Sequence, residues 1–461
     1  MIPMVKITGS MVDSLFVYIA ILGILIVIGT IIRLKVPILK KYHIPASLIA
    51  GVIGLILGPY FFNIIPKEIT SCWSVLSGRL IVIIFAPMLM GASHLKDKKM
   101  VKTAMGATCY SYACCALQYG IPLLLDLVLL IPLFHVSPLF ASIGEEGWMG
   151  GHGTAGGMAL VFEELNWADG QSLSITSATI GLFFGIISGM IIINLGARKG
   201  WTTFIHNETS LQGTKEEMYK PEDRPDAAKA TIKNDVLDTF AFHFSLICIA
   251  MFIGWLMTKA LKANFGISVS WFVTTMFGGL IVKQVLDKTS WKDSLDQATF
   301  SRIEGVCLEF LVAGAVSSVN VSVVVSYALP LLIQQGALML LMLFFGLIYC
   351  RHLFPDYWLE NSLLSYGTFC GVFATGMLLL KTCDPDLKSN AMQIYALRTP
   401  FTQWAVGGGI ITGMMPYWIA QYGTATMCAI CLGVGVIALI IPRLIGCWYP
   451  VTDKAIANHG N

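Results

Sequence analysis

The chain has 461 residues, of which 56% are hydrophobic and only 12% are charged, and its formal net charge is +3. Soluble domains carry about twice that charged fraction, so composition argues against a soluble enzyme. Successive apolar segments of helix length predict an all-α, polytopic membrane protein.

Hydropathy predicts five transmembrane helices in the first half and six in the second. A polar segment at residues 198–235 separates the halves and is predicted to be a cytoplasmic linker. The predicted helices lie near residues 14–33, 44–65, 73–94, 104–134, 172–197, 236–259, 266–283, 301–326, 329–350, 391–417 and 424–446.

Basic residues follow the first, third and fifth predicted helices, whereas the loops between them carry few. The positive-inside rule therefore places these basic loops and the linker in the cytoplasm. We predict a multi-pass protein of the bacterial inner membrane with its N-terminus outside and its C-terminus inside. The basic residues are Arg33, Lys35, Lys40, Lys41, Lys96, Lys98, Lys99, Lys102, Arg198 and Lys199.

A glycine-dense stretch, GWMGGHGTAGG, runs from Gly147 to Gly157 and lies between two predicted helices. Each glycine inside a helix costs about 0.8–1 kcal/mol relative to alanine, and irregular backbone at membrane depth must be buried in protein or line a cavity. Close helix packing would instead space small residues four apart. The paired GG and GxG spacing favours an unwound turn, so we predict a reentrant segment at about residues 139–165.

A second small-residue stretch, SYGTFCGVFATG, begins at Ser365 and predicts another reentrant segment at about residues 361–382. A shift of 219 residues aligns Ala155 and Gly157 with Ala374 and Gly376, and a shift of 223 aligns Arg79 with Arg302. Matching broken segments point to inverted repeats and to a transporter binding site. We predict repeats at residues 1–197 and 236–420, with an extra transmembrane helix and tail at 421–461.

The two broken segments provide the predicted substrate site, because glycine backbone and helix N-termini favour anions. Arg398 would bind a carboxylate bidentately; the alternative is an arginine that lies at the cytoplasmic end of a helix or extends to the membrane interface. Hydroxyl and amide oxygens suit sodium. The predicted substrate residues are Gly150, Gly151, His152, Gly153, Thr154, Gly371, Thr375, Gly376 and Arg398; the predicted sodium ligands are Ser317, Ser318 and Asn320.

Enzyme interpretations have little support in the sequence. It contains no HExxH, P-loop or GxSxG motif. The acidic pair Glu145 and Glu146 is expected at the end of a membrane span, where a solvated charge is normal. We expect no catalytic residues, no organic cofactor and no nucleic-acid partner.

The element GGHGT from Gly150 to Thr154, followed by ATIGLFFGIISG from Ala178 to Gly189, resembles the bacterial sodium/glutamate symporter family. The resemblance implies an elevator-type inverted-repeat transporter, a homodimer, that moves an acidic amino acid with sodium. The second-half stretch GVFATGMLLLKTCDP, the long linker and the eleventh helix depart from the family pattern, which indicates a divergent member.

The leading hypothesis is sodium-coupled symport of glutamate or a similar small carboxylate by alternating access. One alternative is a carrier of 2-hydroxycarboxylates or other organic anions, proton-coupled through His152 or a carboxylate. A second alternative is a passive channel, since opposed broken segments also occur in channels.

Overall fold

The computed structural model describes residues 8–41, 44–90, 98–204, 229–233, 235–265, 269–384 and 387–451. These residues form α-helices with short 3₁₀ and π turns, and no strand occurs within them. Most of the predicted linker lies outside the described residues.

The first half contains ten α-helices within the described residues. They are α1 (Gly9–Lys35), α2 (Pro37–Lys41), α3 (Ala46–Leu57), α4 (Lys67–Phe85), α5 (Lys98–Leu125), α6 (Ile131–Phe134), α7 (Ile143–Trp148), α8 (Gly151–Gly157), α9 (Ala159–Glu164) and α10 (Gly170–Lys199).

The second half adds ten more within the described residues. They are α11 (Thr239–Phe265), α12 (Trp271–Asp287), α13 (Gln297–Ser317), α14 (Val321–Ser326), α15 (Ala328–Phe344), α16 (Cys350–Leu353), α17 (Trp358–Cys383), α18 (Ala391–Thr402), α19 (Ile410–Tyr422) and α20 (Thr424–Leu444).

Seven helical stretches of the described residues are long and apolar enough to cross a membrane. The polytopic, all-helical prediction is confirmed at this level. The stretches are Gly9–Lys35, Lys67–Met88, Met100–Phe134, Gly170–Lys199, Thr239–Phe265, Ala328–Leu353 and Thr424–Leu444.

Three predicted helices differ from the structure. The helix predicted at residues 44–65 ends at Leu57, where the N–H of Gly58 caps the last turn. The one predicted at 301–326 breaks between α13 and α14, because Asn320 accepts a hydrogen bond from the N–H of Val323 and begins a new helix. The one predicted at 391–417 breaks between α18 and α19, where Gly407 and Gly408 have positive φ angles.

The fourth crossing of each half contains a π-helical turn. Asp126–Leu130 follows α5 and leads into α6, and Phe345–Tyr349 follows α15 and leads into α16. The turns begin 219 residues apart, which is the offset that aligns the two glycine stretches. In addition, α4 packs on α13 and α5 packs on α15, so elements at matching places in the two halves are neighbours.

Helix α10 forms the centre of the packing around the broken segments, because it contacts α7, α8 and α17. The main hydrophobic cluster surrounds it, and Trp148, Tyr366 and Phe369 are fully buried there. One helix thus supports both glycine-rich stretches.

Candidate functional site

The first glycine stretch is interrupted where the sequence predicts a break. Helix α7 ends at Trp148, and Met149 and Gly150 separate it from α8. Gly151 has a φ angle of +69°, in the left-handed region that favours glycine. The predicted unwinding is therefore present, and a reentrant course through a membrane stays a prediction.

The second stretch contains a sharp kink inside α17. Gly371 (φ −165°, ψ 43°) and Val372 (φ 65°, ψ 173°) leave the helical conformation. Positive φ at a β-branched residue is strained, and such strain clusters at functional sites. At the kink, the carbonyl of Phe369 accepts a hydrogen bond from Gln118 Nε2 at 2.9 Å. Thr375 Oγ1 donates to the carbonyl of Gly371 at 2.5 Å.

The two breaks touch each other. A Cβ atom on Gly151 would overlap Cγ1 of Val372. Helix α10 contacts both breaks: Thr179 Oγ1 lies 2.9 Å from Nε2 of His152, and the carbonyl of Cys370 lies 2.5 Å from a Cβ placed on Gly181. The half-sites predicted from distant parts of the sequence therefore form one region.

The other predicted glycines in this region are closely packed. A Cβ on Gly150 would come 2.5 Å from the carbonyl of Glu146, and one on Gly153 would come 2.9 Å from Leu308 Cδ1. Gly376 lies against Leu364 and Thr368, so close helix packing accounts for it. Thr154 is buried and contacts Gly408, which lies on the loop between α18 and α19.

Arg398 is buried beside the second break, with only 2% of its surface exposed. Its guanidinium carbon lies 4.9 Å from the ring centre of Phe369 and 4.7 Å from that of Tyr395, and the Tyr395 ring stacks on Phe373. Nη1 donates to the hydroxyls of Ser111 at 3.3 Å and Ser365 at 3.2 Å. Among the described residues, no acidic side chain lies within ion-pair distance of this cation.

The expectation that Glu145 and Glu146 are solvated is wrong, because both are fully buried. The Glu145 carboxylate accepts hydrogen bonds from the Tyr119 hydroxyl at 2.7 Å, the Gly407 N–H at 2.8 Å and Thr412 Oγ1 at 3.0 Å. Since Gly407 lies between α18 and α19, Glu145 joins the first broken segment to the loop of residues 403–409.

Glu146 has a very different environment from its neighbour. Its Oε2 accepts one long hydrogen bond, 3.3 Å, from Ser174, and its Oε1 has no partner among the described residues. Asp126, in the first π turn, is also fully buried, and neither of its oxygens has such a partner.

The predicted sodium ligands lie at the break between α13 and α14. Ser317 Oγ donates to the carbonyl of Ala313 at 2.8 Å, Ser318 Oγ donates to that of Ala315 at 2.8 Å, and Asn320 caps α14. The N–H of Asn320 donates to Ser172 Oγ at 2.9 Å, which ties this break to the start of α10. The structure thus places them on a third irregular segment that α10 contacts.

Sequence reasoning missed two features of this region. The three consecutive glycines from Gly407 to Gly409 could have signalled the break after α18. Asp126 stands alone in an otherwise apolar run, and an ionisable residue within a span is a functional candidate by default.

A model of the sodium/glutamate symporter family matches residues 12–376, which is more than half of the chain and includes both breaks. The chain belongs to the sodium/glutamate symporter family. This family comprises transporters and not enzymes, and it implies sodium as the coupling ion. The match ends at Gly376, before Arg398 and the last three helices.

No curated protein matches the chain. Among solved structures, it is similar to the sodium proton antiporter MjNhaP1 from Methanocaldococcus jannaschii at pH 8. The identity is 17%, the match covers 94% of this chain and 99% of that one, and the TM-score is 0.41. A score this low supports no argument about the present chain.

Proposed function

We propose that this protein is a sodium-coupled symporter of glutamate or a similar small carboxylate. The main support for this proposal is Arg398, a buried cation beside the second break that has hydroxyl groups and aromatic rings around it. A buried charge without a counter-ion is costly, and a guanidinium fits a carboxylate with two parallel hydrogen bonds. The substrate carboxylate supplies the missing negative charge.

The paired breaks would hold the rest of the substrate. Backbone N–H groups at the start of α8, together with Thr154 and His152, would provide donors for a second carboxylate, and Gly150 would contribute through close packing, because its own N–H donates to the carbonyl of Glu145 at 2.9 Å. Gly371 and Thr375 belong to the opposing break, and Gly376 contributes through close packing. A dicarboxylate needs two anion sites, which favours glutamate over a monocarboxylate.

Sodium coupling follows from the family, and Ser317, Ser318 and Asn320 remain the proposed ligands for one ion. Their helical break contacts the start of α10 through Ser172, and α10 also supports both glycine breaks. Ion binding can therefore affect the substrate region through one rigid helix.

The equal offset of the two π turns supports an inverted repeat, and the contact of both breaks with α10 supports an elevator mechanism, in which they move as one body. We further propose a homodimer, which cross-linking in native membranes would test.

The direct test is uptake of radiolabelled glutamate into proteoliposomes with and without an inward sodium gradient. We expect accumulation that requires sodium. Uptake driven by a proton gradient alone and blocked by 2-hydroxycarboxylates would instead support the organic-anion carrier. Large single-channel currents without accumulation would support the channel.

Arg398→Lys tests the proposed substrate contact. Lysine keeps the charge but loses bidentate geometry, so we expect the KM for glutamate to rise about tenfold or more. The matched control is Lys259→Ala, which removes an exposed cation from α11 and should leave KM unchanged. An unaltered KM in Arg398→Lys would remove Arg398 from the site.

A further inference from the structure

We propose that Glu146, together with Ser142 and Ser174, forms a sodium site separate from the break between α13 and α14. This assignment rests on the sodium coupling proposed above. Glu146 lies on α7, the helix that ends at the first break, and Ser174 lies near the start of α10. Ser142 immediately precedes α7 and lies next to the Glu146 carboxylate.

The site is identified by buried oxygen atoms whose hydrogen bonding is incomplete. Glu146, Ser142 and Ser174 are all fully buried. The Ser142 hydroxyl lies beside the Glu146 carboxylate without completing a well-formed hydrogen bond to Oε1, and the other carboxylate oxygen accepts only the 3.3 Å bond from Ser174. Buried polar atoms are normally satisfied, so several unsatisfied oxygens together require an explanation.

Glu145 provides an internal comparison. It is equally buried, but Tyr119, Gly407 and Thr412 donate hydrogen bonds to its carboxylate. Those donors stabilise a negative charge without a bound ion. Glu146 has only the two serine hydroxyls beside it, and no basic residue is seen to pair with it among the described residues.

A monovalent cation at Glu146 would supply both the missing contacts to its oxygen atoms and the missing positive charge. A bridging water would complete hydrogen bonds but would leave the charge uncompensated. Sodium is a hard cation that prefers carboxylate and hydroxyl oxygens, and it would neutralise the single charge of Glu146. Water or backbone carbonyls would complete its coordination.

The position of the site suggests how it assists transport. The carbonyl of Glu146 lies against Gly150 at the first break. An ion shared by Glu146 and Ser174 would hold α7 against α10, which contacts both breaks. Sodium bound here stabilises the arrangement in which the substrate region is assembled.

The test is sodium-dependent thermal stability of the purified full-length protein, measured in NaCl and in KCl at equal concentration without substrate. We expect a higher Tm in NaCl for the natural protein, a much smaller difference in Glu146→Gln, in which only the ion at Ser317, Ser318 and Asn320 would remain, and an intermediate difference in Ser142→Ala and Ser174→Ala. Glu163→Gln, which removes an exposed carboxylate from α9, should keep the full difference.

In proteoliposomes, Ser142→Ala and Ser174→Ala should raise the half-saturating sodium concentration for uptake severalfold, and Glu146→Gln about tenfold or more. The assignment is overturned if Glu146→Gln retains the natural Tm difference. It is also overturned if this variant keeps the Tm difference and its uptake loses only its pH dependence, because Glu146 would then hold a proton and not sodium. If Glu146→Gln does not fold, unchanged sodium responses in both serine variants overturn it. A natural protein that responds to sodium but does not accumulate glutamate would refute the proposed cargo and leave this site standing.

Discussion

Gly151 and Val372 lie against each other where the two breaks meet, and both have positive φ angles. Gly151 adopts this conformation without steric cost, whereas a side chain there costs about 1–2 kcal/mol. Val372 bears that strain in the natural protein. The contact therefore depends on the absence of a Cβ at Gly151, and the strain at Val372 is held by the surrounding packing.

We expect Gly151→Ala to reduce uptake about tenfold or more, because alanine adds backbone strain and overlaps Val372. Gly153→Ala should have a weaker effect, since its new Cβ would meet only the end of the Leu308 side chain. Gly433→Ala, in open space on α20, is the control and should transport normally.

Adding Val372→Ala to Gly151→Ala should restore part of the uptake, because it removes the steric overlap. Surface expression must be equal in all variants. Normal transport by Gly151→Ala would contradict the proposed role of the contact.

The residues of the site differ in how far sequence could reveal them. The GGHGT motif located the first break, because glycine clusters directly indicate unusual backbone. The different roles of Glu145 and Glu146 could not be predicted, because they depend on which donors the tertiary fold brings to each carboxylate. Tyr119 and Thr412, which solvate Glu145, are far away in sequence.

At the scale of elements, long apolar helices were predictable, and the irregular segments between them were only partly so. The helices predicted at residues 14–33, 104–134, 172–197 and 236–259 correspond to long apolar helices of the structure, because lipid requires continuous hydrogen-bonded backbone. The breaks after α13 and α18 were missed because hydropathy averages over a window and does not detect a cap such as Asn320 or three adjacent glycines. These interruptions lie close to the proposed site.

The loop of residues 403–409 is attached to the rest of the protein by Glu145. Glu145→Gln would place an amide NH₂ among donors, so we expect a loss of about 1.5–3 kcal/mol and a clearly lower Tm in detergent. Thr412→Val, which removes one donor, should have a smaller effect. Glu163→Gln serves as the exposed control. An unchanged Tm for Glu145→Gln would show that this contact contributes little to stability.

At the scale of the whole molecule, the number of membrane crossings determines on which side of the membrane each terminus lies. The eleven predicted crossings, an odd number, would place the two ends on opposite sides, and the basic loops predict the N-terminus outside. In intact cells, an N-terminal epitope tag should be accessible to antibody, whereas a C-terminal tag should require permeabilisation. Detection of the C-terminal tag on intact cells would contradict the predicted orientation.

The π turns at Asp126–Leu130 and Phe345–Tyr349 also bear on the history of the chain. A π turn accommodates one more residue than the α-helical turn it replaces, so it records a local insertion. If the two halves descend from one ancestral segment, the shared position dates this insertion to before the duplication. The ancestor then already had an interrupted fourth helix, and the two copies diverged at the start of the turn, where one has a buried acid, Asp126, and the other has Phe345.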